Sequence, residues 1–212
     1  MSSAEQLLEA RLTALGELWA VWAAHGHDLD AARWTRPTRL EGWDVKALFA
    51  HLAAWPHGFA QMLSLVRDDE PTHDSATSLL RDLNRPRGLA ALQAPRVAKG
   101  AREAALQHTP EQLTEAFAAI GPAAIDEAHR LGPVVVEYFG IARLSLAEAA
   151  GIGVVESTVH LLDLQRALGR EPSVPESGLT QTAEILAAIP SPVAFIEAAT
   201  GRGAGAFFPL VS

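Results

Sequence analysis

Ala149-Ala-Gly-Ile-Gly-Val-Val-Glu156-Ser-Thr-Val-His160-Leu-Leu-Asp163-Leu164 is the most apolar helix-like stretch of a 212-residue chain. Glu156 and His160 stand four apart, so at helical pitch a carboxylate and an imidazole share one face. Ile152, Val154, Val155, Val159, Leu161, Leu162 and Leu164 fill nearly every other direction. A helix apolar all round is a buried helix. A carboxylate carried inside on it must protonate, find a partner or bind a cation. The plain alternative is a Glu–His pair bonded only to each other. A metal needs a third ligand from elsewhere, and His51 is the candidate.

This helix is expected over 145–168, ending at Gly169. Working outward, Val134–Phe139 is a β-branched and aromatic run that reads as a short strand. Leu8, Leu12, Leu15, Trp19 and Trp22 mark a first helix over 4–24, with Gly26 as its stop. Asp44 is placed to cap a second helix, with Trp43 and Leu48 as its hydrophobic staple. Its stripe runs through Val45, Leu48, Phe49, Leu52 and Trp55, and Pro56 predicts a kink just beyond His51. His51 lies on the shoulder of that stripe, where a side chain can reach between helices.

Between Arg67 and Pro95 the chain reads as a loop carrying one short helix over Ser75–Leu83. A third helical region covers 96–120, broken by the capping box and proline of Thr109-Pro110-Glu111-Gln112. A last helix near 178–189, the segment Pro192–Ala199 and a second strand candidate at Ala206–Val211 follow. The fold class is all-α: a four-helix bundle over 1–170 with short added helices, and a small C-terminal extension over 171–212 packing on it.

The balance of 49% hydrophobic and 20% charged residues is that of a globular protein. Seventeen basic residues against 25 acidic ones give a net charge of -8, which disfavours a nucleic-acid partner. No apolar run is long enough to span a membrane, and the N-terminus lacks the pattern of a signal peptide. A cytoplasmic location is expected, with a homodimer allowed. The chain has no cysteine, which removes disulfides, thiolate-ligated zinc and a cysteine nucleophile.

Two imidazoles and one carboxylate with a fourth position open form a common catalytic zinc arrangement. Asp163, one turn past His160, is a candidate acceptor that orients an imidazole through its free N–H. Arg202 is a candidate for binding a carboxylate-bearing substrate, against the plainer reading of a surface arginine. His25, His27, His57, His73, His108 and His129 are expected to be mostly solvated. Gly201-Arg-Gly-Ala-Gly205 lacks the strand and helix that a phosphate loop requires, and no nucleophile elbow is present.

Trp34 followed by Pro37-Thr-Arg-Leu-Glu-Gly-Trp-Asp-Val-Lys-Ala-Leu-Phe-Ala-His-Leu52 resembles the entry to the metal-binding domain of mycothiol-dependent maleylpyruvate isomerases, in the DinB-like superfamily of four-helix bundles. Glu156-Ser-Thr-Val-His-Leu-Leu-Asp-Leu164 with Arg166-Ala-Leu-Gly169 resembles its second signature. The resemblance covers about residues 5–170. It implies a divalent metal, zinc before nickel or iron, on His51, Glu156 and His160, with mycothiol as thiol cosubstrate. One departure is plain: only a short segment follows Gly169, where the isomerase carries a separate C-terminal domain.

What the resemblance implies is a metal-dependent enzyme using a small thiol to isomerise, or to transfer sulfur to, a small electrophile. In the isomerase scheme a thiolate adds to a cis double bond, the adduct rotates, and elimination returns the trans product. Two other readings remain: a hydrolase with metal-bound water, and a non-catalytic metal-containing protein that binds small molecules.

Overall fold

The computed structural model describes residues 1–85 and 87–202. Helix α1 spans Ser3–Asp28, α2 Ala31–Trp34 and α3 Val45–Leu63. A two-residue strand, β1 (Val66–Arg67), precedes α4 (Ala76–Leu83) and α5 (Leu89–Gln107). Next comes one broken helix: α6 (Pro110–Glu115), a π-helical turn over Ala116–Ile120, and α7 (Gly121–Leu131). The hairpin β2 (Val135–Tyr138) and β3 (Ala142–Ser145) feeds directly into α8 (Leu146–Ala167). Helices α9 (Glu176–Ala187) and α10 (Pro192–Ala199) close the described chain.

The fold is all-α in its principal elements. Helix α8 packs on both α1 and α3, and the broken helix closes the ring against the same two. That ring is the four-helix bundle. Trp19, Trp22, Phe49, Phe59 and Phe117 fill its centre with no more than traces of exposure. Trp22 lies edge-on to Phe49 and stacks on Phe117, ring centroids 4.8 and 5.5 Å apart. Its indole N–H donates to the Ser157 carbonyl at 3.1 Å, tying α1 to α8 beside Glu156. Buried Ile185 and Ile189 carry α9 and its C-terminal end into the same core.

Local chemistry accounts for most boundaries. The Asp44 carboxylate accepts the Ala47 N–H at 2.8 Å and starts α3. Thr109 and Gln112 form the reciprocal capping box of α6, with Pro110 at the first helical position. Ser145 caps α8, and Gly169 at φ +66° lies just past its end.

Several boundaries differ from the sequence reading. Gly26 does not stop α1, which continues to Asp28; a Cβ at 26 would fall 2.3 Å from Thr114 Oγ1, so this glycine permits close packing. Helix α5 starts at Leu89 and runs through Pro95. The carbonyl that Pro95 leaves without a helical partner, on Ala91, belongs to an exposed residue and can be hydrated. The helix after Thr109 runs on through the π turn to Leu131, and α5 leans on the outside of α3. The expected strand at 134–139 is present as β2, within a three-stranded antiparallel sheet ordered β1-β2-β3. The strand expected at Ala206–Val211 lies outside the described residues. Among the described residues no single helix is long and apolar enough to cross a membrane.

Candidate metal centre

His51 projects from the middle of α3, and Glu156 and His160 from one face of α8. Helix α3 packs directly on α8, so the three side chains converge. His51 Nε2 and His160 Nε2 lie 3.7 and 3.6 Å from the same oxygen, Glu156 Oε2. One donor atom from each residue falls within 4.8 Å of the other two. Both imidazole–carboxylate separations exceed hydrogen-bond length. They are close to the roughly 3.3 Å that separates donors around a tetrahedral ion with bonds of about 2.0–2.1 Å. The donor set and its spacing fit a divalent metal.

Burial pushes the Glu156 carboxyl up, but His51 and His160 pull it further down, below its ordinary range. Its side chain keeps 32% exposure, so the cluster opens to solvent on one side. The buried Tyr138 phenol is held protonated well above its ordinary range, first by burial and then by the Glu156 charge.

Asp163 meets His160 at Nδ1, the ring nitrogen not turned to Glu156. Its side chain is 3% exposed, and its Oδ2 lies 2.9 Å from His160 Nδ1. A proton on Nδ1 donates to that carboxylate and leaves Nε2 with its lone pair facing Glu156. The other Asp163 oxygen accepts from Arg39 Nε. Burial raises the Asp163 carboxyl, and the bonds from His160 and Arg39 lower it by more, leaving it below its ordinary range.

Arg39 arrives on the turn between α2 and α3. That turn is pinned by Thr38, whose backbone N–H and hydroxyl both donate to the Trp43 carbonyl. Gly42, at φ +74°, supplies the left-handed residue the turn needs. The same turn sets the Trp43 ring edge-on to His51 at 5.1 Å and nearly parallel to His160 at 6.3 Å. Arg39, Trp43 and Tyr138 were not singled out as site residues in the sequence. The signal for the first two lay in the Pro37–Asp44 turn, whose contacts cross from α3 to α8.

Arg202 is exposed just past α10, with its guanidinium near the Thr200 carbonyl. None of its hydrogen bonds among the described residues reaches the cluster. His27, His57, His108 and His129 are exposed. His25 is half-buried against Gln165 and Arg170, and His73 against Asp82.

The fold and this cluster define a helical bundle with a His–Glu–His centre between two of its helices. The family model for the mycothiol maleylpyruvate isomerase N-terminal domain matches residues 15–165, and the chain belongs to that family. The match contains His51, Glu156, His160, Asp163 and Arg39, and leaves α9, α10 and Arg202 outside. No curated protein and no solved structure matches the chain.

Proposed function

We propose that this protein is a metal-dependent enzyme that takes mycothiol as cosubstrate, for isomerisation of a small electrophile or sulfur transfer to it. The observation that carries the reading is the meeting of His51, Glu156 and His160 donors within 4.8 Å on two packed helices. Membership in a mycothiol-associated family supports the choice of thiol. Two imidazoles and one carboxylate favour zinc, with nickel and iron(II) accepting the same donors.

Bound there, a divalent metal supplies a low pKa to a coordinated thiol. The chain's own side chains do the rest. Asp163 fixes the His160 tautomer, Arg39 holds Asp163, and the Trp43 ring packs edge-on to His51 and stacks on His160. With no cysteine in the chain, no internal thiol competes for the site.

Calorimetric titration of mycothiol into metal-loaded and metal-stripped protein tests the reading. Binding to the loaded form alone is expected. Equal binding to both, or to neither, overturns the thiol assignment.

A further inference from the structure

An open cleft of about 280 Å³ lies between α3 and α5 with His51 in its wall. Helix α3 lines it with Ala54 and Trp55, α5 with Val97 and Gly100, and the turn between β2 and β3 adds the Phe139 ring. Among the described residues none that line it is an acid, a lysine or an arginine, and His51 is its one titratable side chain. Two of its apolar residues, Val97 and Phe139, remain 43% and 49% exposed, so the cleft presents apolar surface to solvent.

The aromatic wall is positioned by close contacts. Trp55 packs against Gly153 of α8, where a Cβ would come within 3.2 Å of the indole. Phe139 occupies a hairpin turn at φ +47°, a conformation that L side chains with large rings rarely adopt. Its ring lies edge-on to Trp55 at 5.4 Å and over Gly58, where a Cβ would be 2.5 Å away. The strain is kept where it aims an aromatic ring at the cleft that opens on His51.

Building on the metal-and-thiol reading above, we infer that this cleft binds the electrophile by an uncharged, apolar portion, so that the substrate class is a neutral unsaturated or aromatic compound. A dicarboxylate such as maleylpyruvate, even with one carboxylate at the metal, would bring its second anion against alanine, glycine and aromatic carbon. Carboxylates desolvated without partners are costly. Small residues on facing helices leave a slot for a flat group, and the rings offer it stacking and edge contacts.

The probe is benzalacetone, an uncharged aromatic enone, titrated calorimetrically into the full chain reconstituted with metal and without thiol. Cinnamate, an anion of similar size, and maleate, a dianion, are the comparators. Gly100→Leu fills the slot: a Cβ at 100 meets nothing within 4 Å, and leucine is the better helix former. Benzalacetone is expected to bind at least about tenfold more tightly than either anion, and Gly100→Leu to weaken it by at least about tenfold with metal content unchanged.

Equal or tighter binding of the anions overturns the inference, as does an affinity indifferent to Gly100→Leu. A wild-type dimer that covers this face and excludes the probe also overturns it. Failure of the protein to take up metal would remove the proposed function, while the comparison of neutral and anionic probes on the same protein would still be read.

Discussion

Asp163 and His160, one turn apart on α8, are joined at 2.9 Å through Nδ1, the ring nitrogen that faces away from Glu156. A carboxylate in that position fixes both the tautomer and the tilt of an imidazole that has to offer its other nitrogen to a metal. Asp163→Asn keeps the shape and removes the charge. It is expected to weaken metal affinity by about 10- to 100-fold, measured by competition with a chromogenic chelator. Arg39→Ala, acting one step further out, should cost less; the reverse order would mean that Arg39 contributes to the site directly.

The same carboxylate makes an acid-sensitive contribution to stability. Its folded pKa lies below the ordinary 3.8, so the unfolded chain binds the proton more readily. The stability it adds is present above about pH 4 and is lost as pH falls through the folded value. In metal-free protein, Asp163→Asn should flatten the acid limb of stability against pH, followed by urea unfolding. Identical limbs for the two proteins would contradict this coupling.

Phe49 is fully buried and meets Trp22, Trp34 and Phe117, with centroids 4.8, 4.6 and 6.0 Å away. Phe49→Ala opens a cavity where α1, α2, α3 and the π turn come together. A loss of about 3–5 kcal/mol is expected in denaturant unfolding. A loss below about 1 kcal/mol would show that this layer collapses around the gap.

Gly58→Ala places a methyl 2.5 Å from the Phe139 ring. The ring is half-exposed and can swing away, so the cost in stability should stay within about 1–3 kcal/mol. The benzalacetone affinity should fall, while metal content stays that of the wild type. An unchanged affinity would show that Phe139 is not part of the cleft's working wall.

What was legible in the sequence was local. The Asp44 and Thr109 caps, the short helix at Ala76 and the end of α8 at Gly169 each depend on a few neighbouring residues. The apolar surroundings of Glu156 and His160 announced a buried helix, and the stripe through Leu48 and Trp55 placed His51 beside it. Pro95 misled because an exposed helix can hydrate the carbonyl that proline orphans. Strand β1 is two residues long, and β3, Ala142-Arg-Leu-Ser145, is too short to stand out by alternation. Arg39 reaches a carboxylate 124 positions away, a relation that no local pattern encodes.

The central claim is that His51, Glu156 and His160 together hold one metal. Its most direct test is elemental analysis of wild-type, His51→Ala, His160→Ala and Glu156→Gln proteins purified without an affinity tag, each checked for helicity by circular dichroism. The account predicts about one divalent ion per wild-type chain and a loss of most of it in each variant, with helical content retained. Wild-type protein that takes up no metal after reconstitution, or variants that keep the full amount, would contradict it.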